Sequence, residues 1–145
     1  MRRAFSVAIM DWTAARAEAG PIRFAVFVAE QGVPAAIELD EWDARSDHAL
    51  ARDARGVAVG TGRLLPDGHI GRMAVLPDWR GRGLGAAILA ALVERAAARG
   101  MSEIALNAQT QARGFYARHG FAPVGTEFME AGIPHIAMTR RLNAG

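Results

Sequence analysis

The segment LGAAILAALVERAAAR, residues 84–99, constrains this chain more than any other stretch. It is apolar nearly all round a helix until Glu94, and such a helix is stable only when other elements enclose it. The runs on either side are strand-like, HIGRMAVL (69–76) before it and EIALNAQ (103–109) after it. Strand, buried helix and strand together imply a βαβ unit with the helix laid on a sheet, ended by Gly100 at its C′ position.

Further strands feed that unit. HALARD and VAVGTGRLLP are separated by a turn at ARG, and Pro66-Asp67-Gly68 gives a hairpin into residue 69. AFSVAIM (4–10) alternates as a first strand. Residues 13–31 are expected to be helical but broken at GPIR, with Pro21 opening a second segment. Residues 32–47 are expected to form a long acidic loop carrying Glu38, Asp40, Glu41, Asp43 and Asp47. Residues 110–119 form a last helix ended by Gly120, and FAPVGTEFMEAG with IPHIAMTRRL closes as an antiparallel pair. The order β, α, three meandering strands, α, β, α, β, β predicts an α/β protein with a mixed sheet and helices on both faces. No repeat or linker interrupts it, so residues 1–145 are expected to be one domain.

Composition narrows the function. The chain is 51% hydrophobic, which excludes a disordered segment, and no run of about 18 apolar residues could span a membrane. MRRAFSVAIM is followed at once by Asp11 and Trp12, without a cleavage signal, so the expected location is the cytoplasm. Without cysteine there are no disulfides and no cysteine nucleophile. The high pI of about 10.3 does not mark a nucleic-acid surface. The net charge is only +2, all 17 basic side chains are arginine, and these are scattered along the chain. His48, His69, His119 and His135 show no metal-ligand spacing, and no metal is expected.

Between the strand at 69–76 and the buried helix lies Arg80-Gly81-Arg82-Gly83-Leu84-Gly85. A helix N-terminus offers unpaired N–H groups and partial positive charge, glycines let backbone approach a ligand, and arginine forks onto phosphate oxygens. The spacing lacks the Lys-Ser/Thr of a P-loop and the full dinucleotide glycine pattern. The segment therefore predicts an anion cradle of another kind.

That loop resembles the Arg/Gln-x-x-Gly-x-Gly/Ala signature of the GNAT superfamily of acyl-CoA-dependent N-acyltransferases, matched by Arg80, Gly83 and Gly85. LNAQTQARGFYARHGF resembles the family's following strand and helix, and the match is strongest over about residues 48–125. The front segment IRFAVFVAEQGVPAAIELDEWDARSDH, with GIPHIAM near the end, is similar to a bacterial subgroup of ElaA-like and YjcF-like members. The resemblance implies a largely antiparallel central sheet with a splayed parallel strand pair, an acetyl-CoA donor, a small-molecule or peptide amine acceptor, and pairing as a homodimer. It implies that Met73, Ala74 and Val75 lie along the pantetheine arm with Asn107 opposite, and that Arg80 to Gly85 cradle the pyrophosphate. It also implies that Tyr116 protonates the leaving thiolate, a suitable match because a phenol near pKa about 10 sits close to a thiol of about 8.5.

The acceptor side is less determined. Glu38 and Asp40 match the subgroup's pattern and are candidate bases or cation ligands, since neighbouring carboxylates can raise one another's pKa. His135 can project from the last hairpin toward the acceptor. Arg23, Phe27 and Glu30 fall on one helical face, either as a substrate wall or as an ion pair beside a core aromatic. Two other functions fit parts of the pattern. A CoA-binding sensor would keep the loop and dispense with Tyr116, and an acyl-homoserine-lactone synthase would be longer and lack the full loop.

Overall fold

The computed structural model describes residues 4–142. Seven strands form one sheet in the order β1-β2-β3-β4-β5-β7-β6. Their ranges are β1 Phe5–Met10, β2 Asp47–Asp53, β3 Ala58–Leu64, β4 His69–Val75, β5 Glu103–Gln109, β6 Ala122–Glu130 and β7 Ile133–Arg141. Every neighbouring pair is antiparallel except β4 and β5. The helices are α1 Trp12–Arg23, α2 Ala35–Glu38, α3 Leu84–Ala98 and α4 Arg113–Arg118.

Helices cover both faces. On one, Leu84, Ile88, Leu89 and Leu92 of α3 pack into a cluster with Val59, Ile104, Leu106 and Met138. On the other, Ala15, Ala19 and Ile22 of α1 meet Leu50 and Ala74. Each large aliphatic buried in this way contributes roughly 1.5–3 kcal/mol of transfer free energy. Gly60 and Gly62 of β3 let α3 approach. A Cβ at Gly62 would lie 2.8 Å from Ile88 Cγ2 and 2.9 Å from Leu92 Cδ1, and one at Gly60 would lie 2.9 Å from Ile88 Cδ1.

The expected break at GPIR does not occur. Asp11 caps α1, its carboxylate accepting from the Ala14 N–H at 2.9 Å, and the helix runs through Pro21 to Arg23. It then widens into a π-helical stretch, Phe24–Glu30. Proline removes one N–H and crowds the preceding turn, and the chain absorbs this by changing hydrogen-bond pitch rather than by stopping. At its end the Gln31 N–H reaches Val26 O, five residues back, at 3.1 Å. The acidic segment also differs from the expected loop. It contains α2 and a 3-10 turn at Asp43–Arg45, with Glu38 and Asp43 buried.

β4 carries the feature that opens the site. Thr61 pairs with Ala74 but Arg63 pairs with Gly71, so Arg72 and Met73 together oppose Gly62. Such a bulge bends the strand and increases its twist. Arg72 takes a left-handed backbone with φ 49°. β4 pairs with β5 only at His69–Ala105 and Ile70–Leu106, and the two strands separate where the bulge begins. No helix among the described residues is long and apolar enough to cross a membrane.

Candidate functional site

The gap between β4 and β5 is the floor of a cleft of about 630 Å³. The π-helical stretch, α2, α4 and the β6–β7 hairpin wall it with Phe27, Ile37, Tyr116 and His135.

Antiparallel pairing alternates hydrogen-bonded and open residue pairs. The Leu76 N–H donates to Val59 O at 3.0 Å, so Val75, the neighbouring residue, turns its N–H and C=O away from β3 toward the gap. Consistent with this, Val75 O accepts from Arg80 Nε at 3.0 Å. Ala74 is buried against α1, and the thioether of Met73 lies 3.8 Å from Tyr116 Oη.

Beyond β4 the chain makes a 3-10 turn at Pro77–Trp79 and enters α3 through Gly81 and Gly83, at φ 74° and 86°. These are conformations in which L side chains are strained. Gly83 is the N-cap of α3 and no side chain bonds it, and a Cβ at Gly81 or Gly83 would meet nothing within 4 Å. The first turn, including Leu84 and Gly85, thus presents an uncapped N-terminus beside open space, which suits an anion. Gly85 faces Phe115, whose Cζ would lie 3.6 Å from a Cβ there. The arginines are placed differently from the expectation of free phosphate ligands. Arg80 is held bidentately by Glu30, at 2.7 and 2.6 Å, and Arg82 stacks on Trp79 at 4.7 Å from the ring centroid. The residues fit a diphosphate-bearing ligand through the glycine backbone and helix terminus.

Tyr116 sits on α4 between Phe115 and Phe121, edge-on to both at 5.1 and 6.1 Å. Burial pushes its phenol above its ordinary pKa, so it is a protonated donor at neutral pH.

Glu38 and Asp40 are committed to arginines. Arg23, 1% exposed, donates to Glu38 Oε1 at 2.6 Å and to Asp43 Oδ1 at 2.7 Å. Arg63 donates to Asp40 Oδ1 at 2.7 Å and Asp43 Oδ1 at 3.0 Å, and Arg72 reaches Asp40 Oδ2 at 3.3 Å. Burial raises the Asp43 carboxyl, but the hydrogen bond and charge of Arg23, with Arg63, hold it below the usual range. Three guanidinium groups face three carboxylates: Glu38 accepts from Arg23 through Oε1, and Asp40 accepts from Arg63 and Arg72. Arg23, Phe27 and Glu30 do not share one task. Arg23 turns to this network, Phe27 lines the cleft, and Glu30 binds Arg80.

Strand alternation divides β5. Leu106 and Ala108 pack into the cluster around α3, so Asn107 and Gln109 face the π-helical side. Gln109 donates to Gln31 at 3.0 Å, and Asn107 donates to Glu130 at 3.2 Å. Asn107 therefore meets Glu130, which in turn lies beside His135, on the β6–β7 wall of the cleft. Arg63, Arg72, Gln31 and Glu130 escaped the sequence reading. Only Arg72 leaves a trace there, as a charge interrupting the apolar run of HIGRMAVL.

The family model of the acetyltransferase (GNAT) domain matches residues 14–142. The uncharacterized N-acetyltransferase YjcF of Bacillus subtilis (strain 168) is 43% identical over 123 residues, covering 82% of this chain and 87% of that protein. Among solved structures, Escherichia coli ElaA superposes with a TM-score of 0.84 at 27% identity, covering 94% of this chain and 99% of its own. An acyl-CoA N-acyltransferase from Pseudomonas aeruginosa gives 0.83 at 28% identity, again over 94% and 99%. A family match across nearly the whole described chain, the mixed sheet with its splayed β4–β5 pair and the glycine-lined α3 terminus agree, and the chain belongs to the GNAT family of N-acetyltransferases.

Proposed function

We propose that this protein transfers an acetyl group from acetyl-CoA to a primary amine by direct attack within a ternary complex. Three observations carry the reading: the Val75 N–H turned away from β3, the Tyr116 hydroxyl beside Met73 of the same strand, and the uncapped start of α3 that follows that strand. The bound donor supplies a thioester carbonyl and a thiolate leaving group. The N-terminus of α3 and the backbone of Gly81 to Gly85 hold its diphosphate. The open edge of β4 offers main-chain pairing to the pantetheine amides. The Val75 N–H hydrogen-bonds the carbonyl oxygen as negative charge develops there, the kind of fixed dipole that contributes most to acyl transfer. Tyr116, kept protonated by burial, gives its proton to the departing sulfur.

The test joins binding to turnover. CoA should still raise the melting temperature of Tyr116→Phe, because the proposed diphosphate and pantetheine contacts do not use the hydroxyl, whose hydrogen bond among the described residues is to Met73 Sδ. Thiol release from acetyl-CoA with an amine panel should fall by about 10²–10⁴-fold in Tyr116→Phe. Equal turnover in the two proteins would remove Tyr116 from the mechanism, and no thermal shift with CoA would remove the function.

A further inference from the structure

On the β6–β7 wall of the cleft Asn107 from β5, Glu130 from the end of β6 and His135 from β7 converge. Asn107 Nδ2 donates to Glu130 Oε1 at 3.2 Å, and Glu130 Oε2 lies 3.5 Å from His135 Nε2. The other ring nitrogen, Nδ1, is 2.6 Å from the carbonyl of Ile133. A carbonyl can only accept, so Nδ1 carries a hydrogen, and the tautomer this selects has its lone pair on Nε2. The imidazole is 7% exposed and stacks on Phe128 at 6.0 Å, which fixes its plane.

Charge separates this cluster from the acids of the α2 region. Glu38, Asp40 and Asp43 are matched by Arg23, Arg63 and Arg72, whereas Glu130 has the neutral Asn107 as its donor and Nε2 of His135, a second acceptor, beside it at 3.5 Å. The charged groups facing it across the cleft are Glu38, Arg63, Arg72 and the Asp67–His69 pair, the last joined at 3.0 Å. The rim across the cleft from it is apolar, with Ile37 53% and Trp42 39% exposed although both line the cleft.

Resting on the acyl-transfer reading, we infer that Glu130 and His135 form the acceptor site for a primary ammonium carried on an apolar or aromatic body. The Glu130 carboxylate holds the ammonium, the body lies against Ile37 and Trp42, and Nε2 of His135 takes one proton. The freed lone pair forms the C–N bond to the thioester carbonyl, and the C–S bond breaks with its electron pair on sulfur. Tyr116 protonates that sulfur, and the second nitrogen proton returns to the phenolate through water. The sum converts ammonium and thioester into amide, thiol and one proton, and the proton on His135 passes to solvent.

The experiment uses phenethylamine and its neutral counterpart 2-phenylethanol as probes, titrated into the protein saturated with CoA. Wild type should bind the amine about tenfold or more tightly than the alcohol, as a charge-assisted hydrogen bond provides. Glu130→Gln should lose that preference with CoA affinity unchanged. In turnover with acetyl-CoA, Glu130→Gln should raise the KM for the amine about tenfold and leave the KM for acetyl-CoA alone. His135→Gln should lower kcat by about 10²–10⁴-fold at unchanged amine KM, with partial rescue by added imidazole. Glu130 lies half-exposed beside a hairpin turn, so its variant keeps the fold readable if His135→Gln does not. Equal binding of amine and alcohol by wild type, or wild-type amine KM in Glu130→Gln, would overturn the assignment while leaving CoA binding and acyl transfer standing. Failure of CoA to bind would instead overturn the reading beneath it.

Discussion

Substituting Glu38→Gln separates a structural carboxylate from a catalytic base. Glu38 is 4% exposed, its Oε1 accepts from Arg23 Nε at 2.6 Å, and Arg72 Nε lies 4.0 Å away. Its backbone carbonyl accepts from Arg23 Nη2 and Arg72 Nε, both at 3.0 Å, and the substitution keeps those bonds. The amide keeps the shape and one neutral acceptor but removes the charge, leaving Arg23 with Asp43 alone. Removing a partner from a buried pair costs about 3–5 kcal/mol. The retained acceptor offsets roughly 1 kcal/mol of that, so the expected loss is about 2–4 kcal/mol. For a chain of this size that lowers the melting temperature by roughly 5–15 °C. Thermal denaturation with and without CoA measures this, and turnover is then compared at 15 °C, where the folded form of both proteins is fully populated. The kcat should stay within about tenfold, whereas loss of a general base costs about 10²–10⁴-fold. An unmoved melting temperature with a hundredfold fall in kcat would refute the buried-pair argument and return Glu38 to the chemistry.

Gly83→Val puts a β-branched residue at φ 86°, where the left-handed conformation costs roughly 1–2 kcal/mol, and the cradle should distort to relieve it. The CoA-induced thermal shift should vanish while helical circular dichroism is retained, and an unchanged shift would place the cradle elsewhere. His48 gives a pH-dependent prediction. Burial lowers its pKa, against the opposing effect of its bond to the Asp43 carbonyl at 2.8 Å. Below about pH 6.5 the unfolded ring binds a proton that the folded ring refuses, so stability falls there by up to about 1.4 kcal/mol per pH unit until the folded value is reached. At pH 7 and above that effect is absent. His48→Gln should flatten the melting-temperature profile just below pH 6.5. The low carboxyls of Asp43 and Asp47 contribute stability above the ordinary aspartate value, and it is lost only as pH falls below that value. An identical slope in the variant would refute the assignment.

Periodicity and turn chemistry made the sheet and α3 readable. β5 has the bounds expected of EIALNAQ, and Gly100 and Gly120 take positive φ after their helices, as C′ glycines do. The turn into α3 was readable because Gly81 and Gly83 take positive φ, a backbone demand that glycine spacing reports directly. The acidic segment was not. A run of carboxylates reads as solvated unless its partners are known, and Arg63 and Arg72 lie 20 or more residues away along the chain. Pro21 misled for a related reason. Local rules give a break, but the burial of Ala19, Ile22 and Val26 holds the helix on the sheet through the defect. Glu130 was invisible because its meaning depends on the curl of a hairpin over β5.

The buried charges of the α2 region have a physical reason that the catalytic reading of them obscures. Opening a gap between β4 and β5 requires a bulge, and the bulge puts Arg72, not a glycine, at φ 49°. A strained residue of that kind persists only where its surroundings hold it. Arg72 is held by its guanidinium, which donates to the Glu38 carbonyl at 3.0 Å, the Ile37 carbonyl at 3.3 Å and Asp40 at 3.3 Å. Those acceptors are themselves fixed by Arg23 and Arg63, each spreading its fork over more than one oxygen as a lysine could not. The network thus anchors α2 to the strand whose distortion exposes the Val75 N–H. The same pull keeps the apolar residues of α2 at the rim of the cleft. On this account the acids of the subgroup motif bear on the proposed reaction through the shape of β4, and Glu130, the proposed ligand of the amine, lies on the opposite wall.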